Sequence, residues 1–553
     1  MMRKTVSSFC GAIVLGITVI ASQTPESVAG DWAGDLVLQG TAQFAMLHMS
    51  GSGPSYEGSL ELPFMGEKAT LNGFNRDDRS LVFTASNSTY SLHFVGEVKG
   101  GMFEGSVQDG PTNVSGDRFR FAHLARIDFS KYTGGYDLGG GRVISISPIP
   151  EQDMGAIAAS VVQYTDTGNG RWGTLFPISP TRFISGGPAA RVFPAEIDVS
   201  FSTNRQGQIT GLIWRETNRP MVRASKANAY PEEEVRFTNG GVSLAGTLMT
   251  PKTTGRHPAV VLTHGSGPQL RQRGILEQLF VRSGFAVLTY DKRGMGGSGG
   301  SWQNSSFEDL ADDAVSGARM LQTRPDVDPR QIGFWGLSQG GWIAPLAAAR
   351  FGETAFVIAA SGGGLSPELQ ELLDTEDELR GAGFPPAEIA DAIAFQKTKN
   401  AFMRSGEGWD LYQTMRQRVQ NLKWYHYGNT DAWGPATATN PYWANQRRIY
   451  FYDPASALEK LACPVLFVFG ELGSSPTTVM ANVTAVRFLT ERAGNQDVTI
   501  SVIPNAGHNL FLEEKDAAKA LTEERLRYAP GYPQEFVKWA RNRIDRRHPP
   551  ETH

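Results

Sequence analysis

From residue 30 to about 225, apolar positions recur every second residue. In "YSLHFVGEV", Leu92, Phe94 and Gly96 alternate with Ser91, His93 and Val95. "RVISISPI" and "EIDVSFS" follow the same rule, with glycine, asparagine and aspartate between the runs. Alternation points one side of a strand at a core and the other at water. Short strands with regular turn signals predict small all-β modules, either barrels or sandwiches. "GDWAGDLVL" (Gly30–Leu38) and "GGYDLGGGRVISI" (Gly134–Ile146) open alike, on glycine, an aromatic and then a strand. This weak repeat predicts two modules, 30–129 and 130–230, divided near Phe129 to Thr133. Trp32 and Trp172 either fill their cores, the commoner use of such rings, or line a ligand surface.

The pattern changes near "ANAYPEEEVRF" (Ala227–Phe237). Continuous apolar runs now alternate with helix-length segments, the signature of a mainly parallel sheet. Strands are expected in "HPAVVLTHG", "GFAVLTYDKRG", "QIGFWG", "TAFVIAAS", "CPVLFVFG" and "DVTISVIP". "FEDLADDAVSGARML" carries Leu310, Ala314, Ala318 and Leu321 on one helical face. About 365–461 the rhythm breaks into a Glu-, Ala-, Gln- and Arg-rich stretch, followed by aromatics. This predicts a helical insertion placed as a cap over the carboxyl edge of the sheet. The α/β domain as a whole is expected over 231–545.

Composition narrows the function classes. Hydrophobic residues are 40% and charged residues 20%, as in globular proteins generally. A net charge of -4 gives no reason to expect nucleic acid or an anionic membrane as a partner. Residues 1–29 read as a signal peptide: Arg3 and Lys4, an apolar Cys10–Ala21, then "SVA" before Gly30. The apolar stretch is short for a membrane span, so the expectation is an exported, periplasmic or secreted protein with no stable membrane insertion after cleavage. An uncleaved anchor is the alternative. Past the signal only Cys463 remains, too few for an internal disulfide or a cysteine-based metal cluster. Oligomeric state is left open.

The chemistry centres on "GFWGLSQGGW" (Gly333–Trp342). Ser338 lies between Gly336 and Gly340, after a buried strand and before a small-residue helix. In that context G-x-S-x-G holds a serine on a strained turn, with its oxygen exposed at a helix N-terminus. A serine hydroxyl needs a base near neutral pH. His508, in "IPNAGHNLF" beyond the last expected strand, has the right chain order. "THGSGP" (Thr263–Pro268) offers the N–H of Ser266 to an oxyanion hole, together with that of Gln339. His264 is expected to shape this loop.

"LTHGSGP", "YDKRGMGGSGG", "VDPRQIGFWGLSQGGWIAPLAA" and "NAGHNLF" together resemble the serine-aminopeptidase-like and dienelactone-hydrolase-like group of bacterial exported α/β-hydrolases. The resemblance covers about Val235 to Arg543. It implies an α/β-hydrolase fold, a Ser-acid-His triad, and neither metal nor cofactor. It also implies that Asp291 and Arg293 hold their loop. The group's pattern places an aspartate after the penultimate strand, in Gly-x-x-Asp. Here the residues are Gly470, Glu471, Leu472 and Gly473, so glycine stands where the acid belongs. Glu471 is the expected substitute, or else a loop residue holding a backbone N–H. Asp291 is a remoter substitute.

The resulting expectation is a serine esterase acting on a small-molecule carboxylic ester through an acyl-enzyme. An exopeptidase acting on short peptides is one alternative. A binding protein on a partly decayed hydrolase scaffold, with function in the β-modules, is the other. Trp424, Tyr425, Tyr427 and Trp433 either line an acyl pocket or form the cap's own core.

Overall fold

The computed structural model describes residues 28–547 apart from 39–40, 53–54, 63–66, 78–79, 89, 110–116, 150–160, 187–191, 193, 227–229, 272–273, 428–433, 474 and 513–527. Residues 1–27 of the expected signal peptide and Trp433 fall outside the described residues. The chain divides into two units after His123.

In the first unit, eight antiparallel strands from Gly30–Leu38 to Arg118–His123 close into a barrel. Closure comes from the first strand pairing with the last, Trp32 opposite His123 and Val37 opposite Arg118. The alternation expected for "SLHFVGEV" is met: Leu92, Phe94, Gly96 and Val98 are buried. The interior is filled by Trp32, Phe83, Phe94, Phe103, Phe119 and Phe121. Trp32 is fully buried and its indole N–H donates to Val28 O at 2.9 Å. It therefore serves the core.

The second unit starts with another closed barrel of eight antiparallel strands, from Gly134–Gly139 to Val222–Lys226. Both modules are thus barrels, since each closed sheet removes its edge strands. Trp172 does not join the core of the second barrel. Its ring packs on Phe511 of the α/β domain at 5.3 Å between centroids. Tyr528 N–H donating to Gly170 O at 2.8 Å joins the same two parts.

The α/β domain is built on an eight-stranded sheet. Its strands are β1 (Glu232–Asn239), β2 (Val242–Met249), β3 (His257–Leu262), β4 (Ala286–Tyr290), β5 (Val327–Leu337), β6 (Val357–Ala360), β7 (Val465–Gly470) and β8 (Val498–Ile503). Their order is β1-β2-β4-β3-β5-β6-β7-β8. β1 and β2 are antiparallel additions at one edge, and β4, β3, β5, β6, β7 and β8 run parallel. β3, β4, β6 and β7 are buried at every residue, and β5 is buried from Gln331 to Gly336, as a sheet covered on both faces requires. One cover includes α1 (Ile275–Arg282), which sends Leu276, Phe280 and Val281 into the core. On the opposite face lies α2 (Phe307–Gln322), with Leu310, Ala314, Ala318 and Leu321 all buried as the periodicity requires. A capping box fixes its start: Ser306 Oγ accepts from Asp309 N–H, and the Asp309 carboxylate accepts from Ser306 N–H. α3 (Gln339–Phe351) packs beside it, sharing the core of Phe334 and Val357.

The insertion after β6 is helical, as expected. It holds α4 (Pro367–Gly381), α5 (Pro386–Ser405), α6 (Trp409–Val419) and α7 (Pro441–Tyr450). It has a core of its own, in which Phe395, Phe402, Tyr412, Trp424, Tyr425 and Trp443 meet. Trp424 and Tyr425 are therefore cap core, while Tyr427 is 43% exposed. α8 (Pro476–Arg492) and α9 (Gln534–Arg547) complete the domain. Among the described residues no helix is long and apolar enough to cross a membrane.

Candidate active site

Ser338 occupies the sharp turn between β5 and α3. Its backbone sits at φ 60°, ψ -121°, a left-handed-side conformation that a residue with a side chain adopts only when its surroundings impose it. Those surroundings are visible. Ser338 N–H donates to Ala360 O at 2.9 Å, and Ser338 O accepts from Gly341 N–H at 2.7 Å. A Cβ on Gly336 would stand 2.1 Å from Gly340 O, and one on Gly340 would stand 2.9 Å from Thr263 Oγ1. Both glycines of G-x-S-x-G are thus dictated by strand and helix crowding together.

His508 lies beyond β8 and is half-buried. The short segment that receives Ser338 N–H also holds this loop: Ser361 Oγ donates to His508 O at 2.7 Å. Ser338 and His508 are in this way fastened to consecutive residues at the end of β6. His508 Nδ1 lies 3.2 Å from Gly473 O, which accepts a proton carried there and leaves Nε2 bare. Burial pulls His508 below its usual pKa; the Gly473 carbonyl and the field of Asp374 on α4 act against that. Among the described residues no hydrogen bond joins the Ser338 hydroxyl to His508.

Glu471 does not take the acid's place. Its carboxylate accepts the backbone N–H of Asn505 at 2.9 Å, and its side chain is exposed. Nδ1 of His508 faces a backbone carbonyl instead. Asp291 is equally committed elsewhere: it accepts from Arg271 N–H at 3.0 Å, from the Arg271 guanidinium and from Gly297 N–H at 2.9 Å. Burial alone would raise its pKa, and these donors outweigh burial and hold it low. Arg293 pairs with Asp313 through two bonds, at 2.5 and 2.8 Å. Both residues therefore brace their loop. The carboxylate that sequence reading missed is Asp374, which accepts from Ser475 N–H at 3.2 Å. Nothing in its helical surroundings marks it in the sequence.

The two expected oxyanion donors are set differently. Gln339 is the first residue of α3, so its N–H has no acceptor within the helix. Ser266 is exposed on the loop after β3; the preceding N–H, of Gly265, is taken by the Gln269 side chain at 2.9 Å. His264 is half-buried, with Nε2 2.5 Å from Tyr290 O. Burial, with the nearby Lys292, pushes its pKa down to about 3, so it is a neutral brace for the loop.

This strand order, with its elbow after β5 and a histidine after β8, defines an α/β-hydrolase fold. The sequence model of the Alpha/beta hydrolase family matches residues 260–521, the part of the chain that has this fold. An uncharacterised protein of Mycobacterium tuberculosis is 30% identical over 147 residues, 27% of this chain and 51% of that protein. The chain thus spans about half the length of that relative. The esterase EstD of Thermotoga maritima is 23% identical over 334 residues, 58% of this chain and 70% of that enzyme. An esterase of Pyrococcus furiosus, a solved structure, aligns over 57% of this chain and 91% of its own, at 15% identity and a TM-score of 0.36.

Proposed function

We propose that the chain is a serine hydrolase that cleaves a small carboxylic ester through an acyl-enzyme. The observation that carries this reading is the backbone of Ser338, held at φ 60° on a turn where Gly336 and Gly340 have no room for a side chain. Strain of this kind is maintained where it serves a function. Ser338 Oγ attacks the ester carbonyl while His508 Nε2 takes its proton. The N–H groups of Gln339 and Ser266 receive the oxyanion. Collapse expels the alcohol, which leaves with the proton from His508. Water then attacks the acyl group by the same route, releasing the acid and restoring Ser338. Gly473 O holds the imidazole tautomer that leaves Nε2 able to accept.

The test is fluorophosphonate labelling of the whole chain, with the modified peptide identified by mass spectrometry. Label on Ser338, lost in Ser338→Ala and in His508→Ala, supports the reading; an unlabelled protein sinks it. A panel of short esters beside aminoacyl-anilides then separates esterase from exopeptidase.

Export belongs to the same proposal, resting on Arg3, Lys4 and the apolar Cys10–Ala21. Protein that stays in the cytoplasm with its N-terminus intact at Met1 would refute it.

A further inference from the structure

Lys292 follows β4 between two residues that are each paired, Asp291 with Arg271 and Arg293 with Asp313. Lys292 itself has no carboxylate partner among the described residues, yet it is 1% exposed. Its three ammonium hydrogens meet three acceptors: Gly265 O at 2.7 Å, Gly267 O at 3.0 Å and Gln339 Oε1 at 2.8 Å. The ring of Trp302 covers it, 5.5 Å from Nζ to the centroid.

These acceptors have one thing in common. Gly265 O belongs to the peptide group whose N–H is that of Ser266. A trans peptide is planar, with C=O and N–H pointing opposite ways. Whatever fixes Gly265 O therefore fixes the direction of Ser266 N–H, and a cation on that oxygen also strengthens the N–H as a donor. Gly267 O holds the far side of the same turn. Gln339 Oε1 belongs to the residue that supplies the other oxyanion donor, on a different element. One buried cation thus joins both halves of the hole.

We propose that Lys292 is a positioning residue of the oxyanion hole: it aims Ser266 N–H, locks the β3 loop to the head of α3, and sets an uncompensated positive charge behind the developing oxyanion. The proposal rests on the serine-hydrolase reading above. Lys292 itself does not touch substrate in this scheme.

Charge enters in a testable way. Burial brings Lys292 down to about 7. Once it loses a proton, two N–H bonds serve three acceptors, the charge is gone, and the hole loosens. The titratable groups around it do not compete in that range. His264, from the β3 loop, is neutral with its pKa near 3. Tyr290, on β4, is buried and held well above its usual value. Asp291 and Arg293, its neighbours, and Asp313, from α2, are locked in their ion pairs.

The experiment measures kcat and KM for p-nitrophenyl acetate, and the rate of Ser338 phosphonylation, between pH 5.5 and 9. It compares wild type with Lys292→Met and Lys292→Arg, each checked by circular dichroism. Wild type should show an alkaline limb near neutrality. Lys292→Met should lose about 10- to 100-fold in kcat with KM within about twofold, and its alkaline limb should vanish. Lys292→Arg, which stays charged, should recover part of kcat and stay flat to pH 9. A Met variant with wild-type kcat, or one that loses activity with the limb unchanged, overturns the proposal while leaving the serine-hydrolase reading standing. An unlabelled wild type overturns both. If neither variant folds, the wild-type profile decides: a plateau through pH 9 refutes the role of Lys292.

Discussion

His508 turns its Nδ1 to the carbonyl oxygen of Gly473, 3.2 Å away. A carbonyl can fix the tautomer and ring orientation that a base needs, but it brings no negative charge to steady the imidazolium formed in the reaction. Gly473→Asp would add that charge. Gly473 is not in a left-handed conformation, and its Cβ would meet Gly470 O at 3.1 Å and His508 Cα at 3.3 Å. A side chain therefore fits after shifts of tenths of an ångström. The variant should raise the His508 pKa and increase kcat on the order of tenfold, with a modest fall in Tm. NMR titration of the histidine and ester kinetics check it; a folded variant with both unchanged refutes the idea that the site lacks an acid.

The field of Asp374 reaches His508 from the cap and raises its pKa against the pull of burial. Because the net shift is downward, His508 stays neutral to lower pH than a free histidine. The acid limb of kcat/KM should accordingly lie below pH 6.5. Activity falls only as pH drops through that depressed pKa. Asp374→Asn keeps an oxygen for Ser475 N–H but loses the charge. Its acid limb should move lower still, with a smaller kcat. A limb that moves up, or stays in place, shows that Asp374 does not act on His508.

Glu471 closes the Asn505 turn through one exposed hydrogen bond. Asn505 itself sits at φ 55°, so the turn needs that support. Glu471→Gln retains an acceptor oxygen and should leave kcat within about twofold, and Glu471→Ala should cost about 0.5–1.5 kcal/mol of stability. Denaturant unfolding and steady-state kinetics separate the two effects. A hundredfold loss of kcat in Glu471→Gln would restore Glu471 as the triad acid.

What could be read from the sequence was what local chemistry determines. The parallel strands announced themselves as apolar runs because both faces of that sheet are covered. Ser338 and its flanking glycines were legible because the elbow is a contact between near neighbours. Alternation in the N-terminal modules identified strands but not closure, since a sandwich and a barrel alternate alike. Closure depends on Trp32 meeting His123, far along the chain. The support for His508 left no trace because its partner is a backbone carbonyl, which any residue at 473 would carry. Lys292 was hidden for a related reason: its acceptors arrive from the β3 loop and the head of α3, and "DKR" reads as an ordinary charged run. Trp172 was set against Phe511, a contact between modules that neither module's own pattern contains.

The elbow offers the sharpest structural test. Gly336 is the last but one residue before Ser338, and a Cβ there would lie 2.1 Å from Gly340 O and 2.4 Å from Thr263 Oγ1. Neither is the end of a flexible side chain: one is helix backbone, the other a hydroxyl already bonded to Trp335 O at 3.0 Å. To admit a methyl group, β5 and α3 must part, and Ser338 would relax from its strained backbone. Gly336→Ala should therefore lose at least 100-fold in the rate of Ser338 phosphonylation, since the hydroxyl and the N–H of Gln339 move together. The barrels, which are built from other residues, should keep their β-sheet circular dichroism signal. Phosphonylation at the wild-type rate in a folded Gly336→Ala would mean that the turn tolerates a side chain, and that the strain at Ser338 is not what activates it.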